Sequence, residues 1–544
     1  MKKIIFCVTI FAAMLAFPVF AYARPHRIGD MGFHGGISES RHLPRTLETI
    51  LLEQGNNNRA RRRNRNDDIY MNYSEFIFLG INGEPLLFEG RLAVTQGAPE
   101  RDSDAGTYRI RHRVLPPAGA GDDAEISITR TMYIDVEYAR VGNQIIYSYI
   151  IDTDNWAEVI TTPEGTFTLD PLRSSLVVSI WEDQTPAISF YRGDISARLV
   201  YVFVAGEGDD EGEDEGEDED GVETGITIVE KTGEFYGFAT AWSATETHRT
   251  DVTVTNHLGQ ALQYQIRPSV TVNKDLQFVH NEPTVITFAG NYREMHRSFA
   301  GLRYDIFVMP QSMQLNVPTY GTHSMETFNV FEQLPVPDLS FIEGHPAEDD
   351  IHRLFAMQIL QGDPRFFVPN QAITRGQFLT ALARTIKLPV EEVTPPTARR
   401  GQQPVAIMLF ADVDSNRPEF RYIQAVQNAG IAFGRADGKF YFDYPISRQE
   451  AIAVTIRALG LTNLGANPTV VSPFIDSDDI AYWAIRDVNA AFSLDIIAPD
   501  EHGNLHPRRA MSKAEAAAMI NHLLDYMRNG IVSHYSEQIV NITR

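Results

Sequence analysis

The sequence predicts a multidomain protein, with a mainly antiparallel, sandwich-like β region followed by an all-α region of three repeats. Apolar residues alternate with polar ones between residues 67 and 338, as in strands with one buried face. From residue 341 onward the apolar residues recur at helical spacing, and three segments can be laid over one another. The chain has 544 residues and is 43% hydrophobic, which is enough for several separate cores.

Composition and motif content exclude several classes of protein. The formal net charge of −24 argues against a general nucleic-acid binder, whose surface must be positive. The single cysteine excludes a disulfide framework and any cysteine-rich zinc module. The metalloprotease, serine-hydrolase and phosphate-loop motifs are absent, so we predict no cofactor, metal site or catalytic residue. Because a glycosidase needs only two carboxylates that the fold brings together, a hydrolase in the β region stays an alternative.

The N-terminus has the pattern of a secretory signal peptide at residues 1–23. Two lysines precede an apolar run from Ile4 to Phe20, and Ala21-Tyr22-Ala23 forms a small-residue cleavage site. No other stretch approaches the roughly 18 apolar residues that a spanning helix needs. We therefore expect an exported protein with no membrane span after cleavage.

An Arg- and Asn-rich segment, residues 24–66, is expected to be an irregular arm. Five arginines between residues 59 and 65 could bind a polyanion, but no aromatic residues interleave with them. This favours a solvated loop.

Strand-like patterns fill residues 67–205 and 223–338, on either side of an acidic segment at residues 206–222. Within that segment, 11 of the 14 residues from 207 to 220 are acidic and the others are glycine. Such a block cannot pack, so it is a linker between two β domains or a loop within one. Specific calcium binding would need a spaced loop of ligands, which the block lacks.

Three helix–loop–helix repeats are predicted at residues 341–389, 409–461 and 474–528, before a tail at 529–544. Their second helices begin 73 and then 65 residues apart. Each second helix follows a hydroxyl residue, with Glu or Gln three positions later: Thr374 and Gln377, Ser447 and Glu450, Ser512 and Glu515. This pattern is a capping box, in which both side chains satisfy backbone N–H groups at the helix start.

A cation occupies the first position of all three second helices, as Arg375, Arg448 and Lys513. The helix dipole disfavours a cation there by about 0.3–1 kcal/mol, so the repetition indicates a role other than helix stability. Free N–H groups at a helix start attract anions, and a neighbouring cation strengthens the attraction. We therefore predict a ligand with carboxylate or phosphate groups. Several weak sites on one rigid body would hold a repeating polymer through effective concentration.

The three repeats resemble S-layer homology domains. The matching marks are Phe410-Ala-Asp-Val, the loop Asp437-Gly-Lys-Phe, and the tetrads that begin at Thr374, Ser447 and Ser512, where the family usually has Thr-Arg-Ala-Glu. The resemblance implies a three-pronged helical bundle that binds secondary cell-wall polymer between its prongs. It also implies that the polymer's usual handle is the carboxylate of a pyruvyl ketal.

The repeats depart from the family pattern at several positions. The first has Gly376 and Gln377 in place of Ala and Glu, and the third has Lys513 in place of Arg. The second repeat matches best, so Arg448 is expected to make the strongest ligand contact. Trp483 of the third repeat could stack on a sugar face or fill the bundle core.

These patterns predict a secreted, non-enzymatic protein of the cell wall or S-layer, anchored by its repeats and displaying its β region outward. Expected partners are secondary cell-wall polymer or a peptidoglycan-linked glycan, and self-assembly or an adhesin role for the β region stays open. The expected polymer-binding residues are Thr374, Arg375, Gln377, Ser447, Arg448, Glu450, Trp483, Ser512, Lys513 and Glu515.

Overall fold

The chain forms two compact units in a computed structural model. One is a helical unit between residues 338 and 524, and the other is a sheet unit that includes residues 525–531. The described residues are 35–38, 69–79, 85–96, 104–118, 126–206, 224–279, 291–309, 318–334, 338–390, 410–435, 437–466 and 473–531. The predicted signal peptide, the acidic block and most of the arm and tail lie outside them.

Among the described residues, the sheet unit forms one antiparallel sheet of 15 strands. Its strands are β1 Ile37–Ser38, β2 Ile69–Ile77, β3 Leu86–Gln96, β4 Ala105–Leu115, β5 Ser127–Val141, β6 Gln144–Ile151, β7 Ala157–Thr162, β8 Gly165–Leu169, β9 Ser175–Gln184, β10 Ser189–Ala205, β11 Thr224–Ala239, β12 Ser243–Thr255, β13 Ala261–Val279, β14 Asn291–Val308 and β15 Tyr320–Leu334. β1 lies inside the segment predicted to be an irregular arm, where Ile37 and Ser38 pair with Ser74 and Tyr73 of β2.

Most strands pair with their neighbours in sequence, so the sheet is a meander. The path runs from β1 to β6 and continues from β9 to β15, while the β7–β8 hairpin bridges β5 and β10. β10 and β11 pair without a break from Ser189↔Ala239 to Val204↔Thr224. The acidic segment therefore connects two paired strands of one sheet, and β10 and β11 belong to the same compact unit.

The sheet folds back so that its first strands face its last ones. Phe78, directly after β2, stacks on Tyr264 of β13 with ring centroids 3.9 Å apart, and meets Tyr304 of β14 edge-on at 5.2 Å. Inward side chains alternate with outward ones along strands such as β5. The two facing layers confirm the predicted sandwich-like β region.

A charged network lies between the two layers. The Arg130 guanidinium donates hydrogen bonds to Glu75 at 3.0 Å and to Glu158 at 2.7 Å, and the Tyr201 hydroxyl donates to Glu158 at 3.2 Å. The exposed fractions of the three charged side chains are 1% for Arg130, 4% for Glu75 and 0% for Glu158. Burial lowers the pKa of the nearby Lys231 to about 8, against the attraction of Glu75.

The helical unit contains six α-helices among the described residues. They are α1 Glu348–Ala356, α2 Arg375–Thr385, α3 Phe420–Asn428, α4 Arg448–Leu459, α5 Ile485–Ser493 and α6 Lys513–Asp525. Each repeat contributes two of them, which confirms the predicted helical C-terminal region. Within the described ranges, no helix combines the length and apolar character needed to cross a bilayer.

Candidate anion-binding sites between the repeats

Three backbone hydrogen bonds form a closed ring where the second helices begin. The N–H of Ile373 donates to the carbonyl of Met511 at 2.9 Å, Met511 donates to Ile446 at 2.9 Å, and Ile446 donates to Ile373 at 3.1 Å. Each of these residues comes just before the capping residue of its repeat, and all three side chains are buried. The ring therefore gathers all three helix starts around one pseudo-threefold axis.

All three predicted capping boxes are present. In α2 and α4 the cap hydroxyl accepts the N–H of the third helical residue, and the side chain of that residue accepts the N–H of the cap. In α6, Ser512 donates its N–H to Glu515 at 2.8 Å, and its hydroxyl accepts the Glu515 N–H at 3.2 Å. The cations Arg375, Arg448 and Lys513 stand at the first position of these helices, as predicted.

The first N–H groups of the helices are not free, which differs from our expectation. Each second helix donates them to backbone carbonyls in the loop of another repeat, so that the loops cap the helices in a cycle. The pairs are Arg375 with Tyr444 at 2.8 Å, Gly376 with Phe442 at 3.0 Å, Arg448 with Arg509 at 3.0 Å, Gln449 with Pro507 at 3.0 Å, Lys513 with Gln371 at 2.9 Å and Ala514 with Pro369 at 2.9 Å. Anion binding here must therefore rely on side chains, because the helix N–H groups are already used.

Gly376 departs from the usual Ala because of the loop that it meets. A Cβ at this position would lie 2.2 Å from the ring of Phe442. At the equivalent contacts of the other two repeats, Gln449 and Ala514 meet Pro507 and Pro369, which are smaller than Phe. The small residue in α2 thus matches the large residue in the second loop.

We expect Gly376→Ala to lower the free energy of unfolding by about 1–3 kcal/mol, because the methyl group overpacks against Phe442. This is opposite to the gain of roughly 1 kcal/mol that Ala normally gives in a helix. Denaturant unfolding of the full chain measures the change. An unchanged or higher stability of this variant would contradict the packing argument.

The Arg375 site lies between the first and second repeats. The guanidinium donates to the carbonyl of Phe433 at 3.2 Å and lies 5.1 Å from the ring centroid of Phe440. No carboxylate among the described residues is within the 4 Å distance of an ion pair. Burial lowers the pKa of Arg375, while the charge of Glu450 opposes the shift. The exposed aromatic rings of Phe433 and Tyr444 belong to the same loop.

The Lys513 site lies between the third and first repeats and has a similar construction. The ammonium group donates to the side-chain oxygen of Gln371 at 2.7 Å and lies 5.4 Å from the ring centroid of Phe367. In the described part of the chain it too has no carboxylate at ion-pair distance. Burial lowers its pKa. The neighbouring Phe366 is exposed.

The Arg448 site, between the second and third repeats, differs from the other two. Arg448 donates to Glu515 at 2.7 Å, and its side chain is only 17% exposed. Arg509 forms a second ion pair with the same carboxylate. The residue expected to make the strongest ligand contact is therefore already paired within the protein.

Trp483 does not fill the bundle core, since its side chain is 49% exposed. It follows Ala481, whose N–H donates to the side chain of Gln449 at 2.9 Å, so it lies near the start of α4. Stacking of this ring on a sugar face stays a prediction.

Two aspartates shape the loops of the second and third repeats, a role that was not predicted for Asp476. Asp412 accepts the N–H groups of Phe440 and Tyr441 at 2.7 and 2.6 Å, and Asp476 accepts those of Leu505 and His506 at 2.8 and 2.7 Å. Tyr441 and His506 both have left-handed backbones, with φ of 62° and 55°. The sequence pattern that marks these aspartates is the Phe-x-Asp at the start of the second and third repeats.

A closed cycle of three helix–loop–helix repeats, each capped by another, defines the C-terminal unit as a single repeat module. The family model described as S-layer homology domain matches residues 342–379, 409–452 and 473–517. The C-terminal region therefore contains three tandem S-layer homology domains, as the sequence resemblance predicted.

Curated relatives match only part of the chain. A segment of this chain is 26% identical to an endoglucanase of Bacillus sp. (strain KSM-635) over 176 residues. The match covers 32% of this chain and 17% of that protein. It is 28% identical over 179 residues to an S-layer protein of Bacillus licheniformis, covering 32% and 18%. For the S-layer protein EA1 of Bacillus anthracis the identity is 28% over 178 residues, covering 32% and 19%.

The chain thus spans less than a fifth of the length of these relatives. The matches fall on the S-layer homology region, which relatives with different names share. They support cell-surface anchoring for that region.

Proposed function

We propose that the helical unit anchors a secreted protein non-covalently to an anionic secondary cell-wall polymer, and that the sheet unit is displayed outward. The observation that carries the proposal is the pair of cations Arg375 and Lys513. Each is partly buried at a helix start, lies over an aromatic ring, and has no carboxylate partner at ion-pair distance among the described residues. A ligand carboxylate would supply the missing partner.

The energetics of these two cations support this role. Both stand where the helix dipole opposes a positive charge, and burial further disfavours their charged forms. A hydrogen bond to a charged partner contributes about 1.5–3 kcal/mol net. One such site binds weakly, but two on a rigid unit that faces a repeating polymer reinforce each other through effective concentration.

The aromatic rings beside the cations suit a sugar ligand. Phe433 and Tyr444 at the Arg375 site, and Phe366 beside the Lys513 site, expose apolar faces next to the charge. A pyruvylated sugar combines a carboxylate with an apolar ring face, so it matches both features. Peptidoglycan itself, without the attached polymer, is expected to bind less well.

The described residues of the sheet unit offer no comparable support for an anchored hydrolase. Glu75 and Glu158 form a buried carboxylate pair, but both are bonded to Arg130 and are almost inaccessible to solvent. The outer face instead exposes two apolar cross-strand pairs, Ile146 with Trp181 and Ile150 with Val177, on either side of the Ser148–Ser179 pair. This favours a displayed, non-enzymatic surface.

Anchoring can be tested with purified cell walls before and after chemical extraction of their secondary polymer. We expect the full chain to be retained on intact walls and lost from extracted ones. The double variant Arg375→Ala and Lys513→Ala should reduce retention at least tenfold, since about 1.4 kcal/mol per lost site already gives that factor. Arg421→Ala, an arginine of α3 that is not at the start of any second helix, is the matched control. Unchanged retention of the double variant would refute the proposal.

A further inference from the structure

We propose that the third residue of each second helix sets the strength of the cation site of the preceding repeat, and that Glu515 keeps the Arg448 site closed. This inference rests on the proposed function, because it ranks the sites through which the polymer would bind. Glu515, which the sequence predicts to contact the polymer, would instead compete with the polymer for Arg448. In its wild-type form the unit would then have two open sites and one latent site.

The geometry of the Arg448 site carries the inference. Both oxygens of Glu515 are already used: Oε1 accepts from Arg448 at 2.7 Å, Oε2 accepts the N–H of Ser512 at 2.8 Å, and Arg509 donates to both. Two guanidinium groups therefore share one internal anion, so an incoming ligand carboxylate would have to displace Glu515.

The third helical residue has a weaker electrostatic effect on the cation of the preceding repeat at the other two sites. In the second repeat the equivalent residue, Glu450, acts on Arg375 through its charge but lies beyond ion-pair distance. Arg435 lies 3.7 Å from Glu450 and forms an ion pair with the same carboxylate. In the first repeat the equivalent residue is the uncharged Gln377, and burial alone accounts for the lowered pKa of Lys513.

Gln377 also shows that Glu can be replaced here without losing the helix cap. Its side-chain oxygen accepts the Thr374 N–H at 3.2 Å, as Glu515 does for Ser512. A Glu515→Gln variant should therefore keep the capping box of α6 while releasing Arg448. Gln377→Glu should keep the cap of α2 while introducing a carboxylate toward Lys513. The chain itself thus supplies a reciprocal pair of substitutions.

The test uses the full chain and a small probe, the 4,6-O-pyruvyl ketal of a methyl N-acetylhexosaminide. The 4,6-O-ethylidene acetal, which lacks the carboxylate, is the matched neutral probe. By calorimetry we expect two sites in the wild type, three in Glu515→Gln, and an affinity about tenfold lower at one site in Gln377→Glu. Unchanged thermal unfolding of both variants would show that the caps are intact.

A second readout does not depend on the polymer. Phenylglyoxal modifies accessible arginines, so Arg448 should react several-fold faster in Glu515→Gln than in the wild type, with Arg375 as the internal reference. If the wild type ignores the ketal but Arg448 becomes reactive, the proposed function fails and the closed site stands. If Arg448 stays protected, or the variant still binds two probes, the inference is overturned.

Discussion

Replacing Arg130 with methionine should lower the free energy of unfolding of the sheet unit by about 3–5 kcal/mol. The substitution leaves Glu75 and Glu158 buried without the guanidinium that bonds both of them. Burial alone would raise the pKa of Glu75, but the charges of Arg130 and then Lys231 hold it below its usual value. Without Arg130 the ionised carboxylates lose this support, and one of them must take up a proton or the layers must separate. Denaturant unfolding of the full chain, followed by tryptophan fluorescence, measures the loss.

A matched control is available on the outer face of the same sheet. Arg109 of β4 forms a similar pair with Asp135 of β5 at 2.7 Å, but the two side chains are 51% and 41% exposed. Arg109→Met should cost at most about 1 kcal/mol, because water screens and replaces the interaction. Combining Arg130→Met with Glu75→Gln and Glu158→Gln should recover part of the lost stability, since neither carboxylate is then left charged without its arginine, while the buried Lys231 loses its two acidic neighbours. Equal effects of the two single arginine variants would contradict the role of burial.

The second large effect is a loss of stability in acid that originates at His112. The ring is fully buried in β4, and burial, together with the charge of Arg130, lowers its pKa from the usual 6.5 to about 3. Between these values the unfolded chain binds a proton that the folded chain does not. The free energy of unfolding should therefore fall by about 1.4 kcal/mol per pH unit as the pH drops from 6.5 toward 3.

Comparison with a His112→Gln variant isolates this contribution. Paired carboxylates such as Glu75 also destabilise the fold in acid, but they do so equally in both proteins. The slope of unfolding free energy against pH, measured between pH 4 and 6.5, should be smaller in the variant by about 1.4 kcal/mol per pH unit, which corresponds to one bound proton. Parallel slopes would show that His112 is protonated in the folded state or titrates normally.

Local patterns predicted the elements well because they depend on neighbours in sequence. Alternation identified strands such as β5 and β10, and the spacing of hydroxyl residues and Glu or Gln identified the starts of α2, α4 and α6. The return of the sheet onto itself, and the pairing of β10 with β11 across the acidic segment, were not predictable. Both depend on contacts between residues far apart in the chain.

The candidate site shows the same division. Sequence placed Arg375, Arg448 and Lys513 at helix starts, yet it ranked Arg448 first because that repeat looks most typical. Arg448 is already paired with Glu515, which is 67 residues away in sequence. The cycle of repeats brings the two side chains together. In the same way Gly376 looked like an isolated departure until Phe442 explained it. Pairwise contacts between repeats, rather than motifs within them, distinguish the three sites.

The ring of backbone bonds through Ile373, Ile446 and Met511 fixes the copy number of the anchor. A solenoid can lose a terminal unit because each unit stacks only on its neighbours. A closed cycle has no terminal unit, so deleting any one repeat removes both a donor and an acceptor and uncaps a helix elsewhere. The module should therefore unfold cooperatively, and the protein should detach from its support as a whole rather than one prong at a time.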